Sequence, residues 1–143
     1  MSLRQFASRY AKEKGLAKAE NKYNAKSGNG FPSQLEGAVD QMLRFREKAG
    51  EIRDIRRQQV VILQDGPSNV KINWKLDFSF EYCATGELVY VEAKGVETET
   101  YQLKLKLWRK NPPARLEIWK GRYRKGEGVE PILVEEITPE EKF

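Results

Sequence analysis

The sequence predicts an α/β domain, and three observations carry that expectation. Ser33-Gln34-Leu35-Glu36 is a capping box, serine at the cap and glutamate three residues on, opening an amphipathic helix. Residues 77–94 alternate apolar and polar side chains with period two on either side of a turn, as the arms of a β-hairpin do. Apolar β-type runs at 56–63, 115–119 and 132–137 surround that hairpin. Interleaved helical and extended segments bury their apolar faces as a sheet with helices packed on it.

In chain order, residues 2–20 have helical propensity, with Phe6, Tyr10 and Leu16 among alanines, until Ser27-Gly28-Asn29-Gly30 breaks the chain. Residues 1–32 therefore read as an arm, and 33–143 as the folded domain. Leu35, Val39, Met42, Leu43 and Ala49 form a helical stripe over 33–49, closed by Gly50. The run 56–63, with Val60, Val61, Ile62 and Leu63, predicts a strand ended by Asp65-Gly66-Pro67. A hairpin turn centred on Thr85-Gly86 pairs Tyr82 with Val89, Phe80 with Val91, Phe78 with Ala93 and Asp77 with Lys94. In 98–110 Leu103, Leu105 and Leu107 fit a strand, whereas Tyr101, Leu105 and Trp108 fit a helix. Asn111-Pro112-Pro113 stops that element. Gly121 to Gly128, basic and glycine-rich, reads as a loop, and the chain closes with an acidic tail.

Composition narrows the chemistry. At 143 residues the chain is one domain's worth. No stretch approaches the roughly 20 apolar residues that cross a bilayer, and the amino end lacks an apolar signal segment, so a cytoplasmic protein with no membrane partner is expected. The single Cys83 cannot form an internal disulfide, and without histidine it cannot belong to a zinc cluster. The lack of histidine also removes histidine-based triads, which leaves carboxylates, lysine and metal for any hydrolysis. The net charge of +5 resides in the arm, where seven basic side chains, Lys12 and Lys14 among them, oppose Glu13 and Glu20. Such an arm is a candidate contact for a phosphate backbone, or equally a solvated leader.

In the hairpin, Phe78, Phe80, Tyr82, Val89, Val91 and Ala93 fall on one face and Asp77, Ser79, Glu81, Tyr90, Glu92 and Lys94 on the other. Glu92 and Lys94 then lie roughly 7 Å apart on one side of the strand, with Asp77 close to both. Converging carboxylates repel unless a cation offsets them, and hard oxygen ligands of this kind suit magnesium.

Asp77, fourteen intervening residues, then Glu92-Ala93-Lys94 resembles the PD-(D/E)xK nuclease signature, with Leu76 where the family usually has proline. The string Val91-Glu92-Ala93-Lys94-Gly95 is its most specific part. The resemblance covers roughly residues 33–119 and is greatest to small phage-encoded endonucleases and Holliday junction resolvases. It implies a restriction-endonuclease-like core, a mixed central sheet flanked by helices in the order αβββαβ, which makes 98–110 a helix. It implies that Asp77, Glu92 and the Ala93 carbonyl hold Mg2+ or Mn2+ against the scissile phosphate. It further implies that Lys94 orients the attacking water or offsets charge on the phosphate, and that Glu36 completes the site from the preceding helix as a further metal ligand, holding a second ion or its water shell. Gln58 or Gln59 is a candidate to line it.

The expected function is a metal-dependent DNA endonuclease, structure-selective for branched or duplex DNA, acting as a homodimer in the host cytoplasm if phage-encoded. Lys104, Lys106 and Arg109, with Lys12 and Lys14 of the arm, are candidate DNA contacts. Each candidate also has a plainer reading. Glu36 is explained by its capping box, Lys94 by ion pairing with Asp77 and Glu92, and the lysines by solvation. The alternative class is a non-catalytic basic nucleic-acid-binding module.

Overall fold

The computed structural model describes residues 33–139. Ser33 caps the first helix, α1 (Gln34–Lys48), its hydroxyl accepting the Glu36 N–H at 3.1 Å. Leu35, Val39, Met42 and Leu43 are buried along one stripe of α1. The helix ends where Gly50 takes φ 81, a left-handed conformation that costs glycine little.

The strands are β1 (Ile52–Gln64), β2 (Ile72–Tyr82), β3 (Leu88–Ala93), β4 (Arg115–Arg124) and β5 (Gly128–Ile137). They form one five-stranded sheet in the order β1-β2-β3-β4-β5, parallel between β3 and β4 and antiparallel elsewhere. The single parallel step requires a crossover, which α2 (Glu99–Lys110) supplies. The ambiguous segment is thus a helix, capped by Thr98 and buried through Tyr101, Leu105 and Trp108. The fold is α/β, with a mixed sheet and the element order αβββαββ.

Each helix completes a separate core. Leu35, Val39, Met42 and Leu43 of α1 pack with Ile52, Phe78, Phe80, Val89 and Val91. Tyr101, Leu105 and Trp108 of α2 pack with Trp74, Leu76, Leu116, Ile118 and Ile137. Leu76 and Phe78 are two residues apart, so simple alternation would put them on one face, yet they serve opposite cores. The cause lies on β1, where Gln58 has φ 55 between the paired positions Arg57↔Phe78 and Gln59↔Leu76. This left-handed residue turns β1 over, with Ile55 against the first core and Val61 and Leu63 against the second, and β2 turns beside it. Asp77 sits at that dislocation.

Three expectations are corrected. The hairpin register is shifted by two, Phe78 facing Val91 and Phe80 facing Val89, because the loop is centred one position earlier. Its closing bonds run from Tyr82 N–H to Glu87 O (3.0 Å) and from Gly86 N–H to Tyr82 O (2.8 Å). The segment from Gly121 to Gly128 is not a loop. β4 continues to Arg124 and turns tightly into β5 through Gly126 at φ 75, with Arg124 and Glu130 paired across the strands. Gly121 itself lies under α1, where a Cβ would come within 3.3 Å of Leu35 Cδ1. Finally, β1 begins at Ile52 instead of residue 56, with an irregularity around Asp54. Among the described residues no helix is long and apolar enough to cross a membrane.

Candidate functional site

β2 and β3 pair from Glu81↔Leu88 to Phe78↔Val91 and then separate, β2 continuing beside β1 and β3 beside β4. The first residues past the parting are Asp77 and Glu92, which the register sets opposite each other, where Lys94 had been expected across from Asp77. Ala93 N–H donates to Asp77 Oδ2 at 2.8 Å and ties the two strands at the mouth of the gap. Glu36, in the first turn of α1, faces the same gap, close enough for Asp77 to act on its carboxyl. The Ser33 cap accounts for the Glu36 N–H alone, so the Glu36 carboxyl is turned to the site and not to the cap.

Three carboxyls in so little water cannot all ionise. Glu36 is 8 % and Glu92 6 % exposed, and Glu36 Oε2 and Glu92 Oε1 are buried without a hydrogen-bond partner. Burial first, and the neighbouring Asp77 carboxylate second, push Glu92 up to about 9 and Glu36 up to about 7. Asp77 is also raised by burial, though the Ala93 N–H and the two glutamates hold it down. Near neutral pH the glutamates share protons with Asp77. Orphaned carboxyl oxygens aimed into a polar gap are what a divalent cation would satisfy, and the all-oxygen donor set fits Mg2+ or Mn2+. Among the described residues no three histidine, cysteine, aspartate or glutamate side chains form a ready-made cage. Asp77 and Glu92 alone would leave most of such an ion's coordination to other oxygens, such as water.

The backbone fits the same purpose. Lys94 N–H donates to Trp119 O at 2.9 Å on β4. Because that peptide is planar and trans, the Ala93 carbonyl points the opposite way, into the gap beside β2. Lys94 Nζ sits 5.0 Å from the centre of the Tyr101 ring on α2, and its charge acts on both Asp77 and Glu92. A family model described as Protein of unknown function (DUF1064) matches residues 19–126. The chain belongs to the DUF1064 family. Neither the curated proteins nor the solved structures gave a match.

The DUF1064 match spans α1 to β4, and so every residue of the gap. Of the expected DNA contacts, Lys104 is half-buried one turn beyond Tyr101, while Lys106 is exposed away from the α2 core stripe. Arg109 is engaged in an ion pair with Glu135 of β5. Lys12 and Lys14 lie outside the described residues, as does the whole arm. Gln58 lies opposite Asp77 in the β1–β2 register, whereas Gln59 turns its amide to the Arg57 carbonyl at 2.9 Å. Two residues of this DUF1064 site were missed. Arg57 places its charge near Glu36 and Asp40, and Tyr101 supports Lys94. Tyr101 reads in sequence as core, and Arg57 comes to Glu36 only through the sheet.

Proposed function

We propose that this DUF1064 protein is a Mg2+- or Mn2+-dependent DNA endonuclease of the PD-(D/E)xK type, selective for branched or duplex DNA and acting in the cytoplasm. The observation that carries the reading is the parting of β2 and β3. There Asp77, Glu92 and Glu36 converge, two of their buried oxygens lack partners, and Lys94 lies beside them. Bound Mg2+ would supply Lewis acidity toward the scissile phosphate. Asp77, Glu92 and the Ala93 carbonyl would hold that ion, and Glu36 would fix Asp77 from α1. Lys94 would orient the attacking water and offset charge developing on the phosphate, positioned by the Tyr101 ring. A branched substrate needs two opposed cuts and one chain has one such site, so a homodimer is the working form.

The direct test is cleavage of branched, duplex and single-stranded DNA with Mg2+ and with chelator. Magnesium-dependent cutting, strongest on the branched or duplex form, is the expected result. Metal-independent binding without cutting in any metal would sink the reading and leave the non-catalytic module.

Lys94 gives a finer expectation. Tyr101→Leu removes the ring under the ammonium, a contact worth about 1–2 kcal/mol when desolvated, and should slow cleavage about tenfold. Tyr101→Phe keeps the ring and should cut near the wild-type rate. Equal rates for the two variants, at matched melting temperatures, would show that Tyr101 only fills the core.

A further inference from the structure

Beyond the parting point β2 has no β3 partner. Residues 59–64 and 72–76 therefore run on as a two-stranded ribbon closed by the 65–71 turn, roughly 16 Å long. One face of the ribbon is covered, because Val61, Leu63, Trp74 and Leu76 join the α2 core. The register puts Val60 opposite Lys75 and Ile62 opposite Asn73 on the other face. That face is bare, with Val60 58 % and Ile62 50 % exposed and Asn73 and Lys75 exposed beside them.

We propose that this bare face is a B-form DNA-binding surface that seats in the major groove and leads the duplex backbone to Asp77 and Glu92. The proposal rests on the nuclease reading and adds to it the element that grips the substrate. Charge selects the occupant. From 56 to 75 the chain carries Arg56, Arg57, Lys71 and Lys75 against Asp65 alone. The register puts Lys75 on the bare face itself, and among the described residues neither Lys71 nor Lys75 makes an ion pair. A second copy seated face to face would bring two uncompensated basic faces together, whereas phosphate neutralises them. Shape selects the groove. The major groove of B-DNA is about 12 Å wide and admits a two-stranded ribbon, its thymine methyls meeting apolar side chains and its base edges meeting amides such as Asn73. The corresponding groove of duplex RNA is too deep and narrow to enter. Position selects the purpose. Past the Gln58 dislocation the bare face continues to Arg57, which lies across from Phe78 and near Glu36, so DNA lying on the ribbon ends at the carboxyls.

The test uses the full chain carrying Glu92→Gln, which prevents cutting, and measures binding to a DNA duplex and to a duplex RNA across a salt series. Adding Lys75→Gln should lower the log-affinity against log-salt slope for DNA by about 0.9. Adding Val60→Ser with Ile62→Thr should weaken DNA binding about tenfold at unchanged slope, and RNA binding little. All three positions are exposed, so melting temperatures should not move. Unchanged DNA affinity in both variants, or equal losses on DNA and RNA, would overturn the proposal. So would conversion of a dimer to monomer by Val60→Ser with Ile62→Thr, which would make the face an interface between copies. Wild-type cleavage of the same duplex is measured in parallel. Cutting with unaffected ribbon variants defeats the ribbon alone, while ribbon-dependent binding without cutting defeats the nuclease reading alone.

Discussion

Glu92→Gln should abolish cleavage, by about a thousandfold or more, while the protein folds and holds DNA as tightly as before. The size follows from losing an anionic oxygen ligand whose ion would offset several kcal/mol of charge in the transition state. Preservation of the fold follows from burial. Glu92 is 6 % exposed and, without metal, pushed up to about 9, so near neutral pH its carboxyl is mostly protonated and a glutamine amide reproduces its shape and donor. DNA binding should hold because a mostly protonated carboxyl and a glutamine amide carry the same charge. Asp77→Asn should behave alike in activity, with a small stability cost, since its oxygen still accepts the Ala93 N–H but without charge. The measurements are single-turnover cleavage in Mg2+, DNA binding and thermal melting of each variant. Parallel loss of binding and stability would mean that these acids are structural ion pairs.

How far the sequence spoke for this site depended on the range of the interaction. The α1 start was legible because a cap is local chemistry, and Ser33 accepts the Glu36 N–H as its spacing implies. The faces of the hairpin were legible because parity survives a register error of two. That same error hid the pairing that matters, since a loop from Cys83 to Glu87 puts Glu92, not Lys94, across from Asp77. The dislocation at Gln58 could not be read, because glutamine carries no left-handed preference and the conformation is imposed where the sheet changes cores. Glycine misled at Gly121, which serves close packing under Leu35, while Gly126 and Gly128, both at positive φ, shape the tight turn. Long-range polar bonds left no trace either. Buried Glu117 accepts from Arg46 and from the Tyr82 hydroxyl, each at 3.4 Å, partners that meet only after the sheet forms.

In chelator, the protein should lose stability as pH rises from about 5 to 9, by well over 5 °C in melting temperature, and Mg2+ should reverse the trend. Glu36 and Glu92 titrate at about 7 and about 9 in the folded chain against 4.5 when unperturbed. Between those values the folded state holds more protons than the unfolded state, so stability falls with rising pH. The contribution is complete below 4.5 and is lost as pH passes the two folded values. Asp77, also raised, acts in the same direction. A divalent ion binds only the deprotonated carboxylates, so its affinity, and the stabilisation it confers, should grow over the same interval. Glu92→Gln removes the group with the larger shift. Its melting curve in chelator should be flatter with pH, and Mg2+ should raise it little. Melting followed at several pH values with chelator or Mg2+, for wild type and Glu92→Gln, tests the account without any DNA present. A wild-type melting temperature that climbs toward pH 9 in chelator would show the carboxyls ionised and paired with Lys94 and Arg57, and the gap would then have no need of a metal.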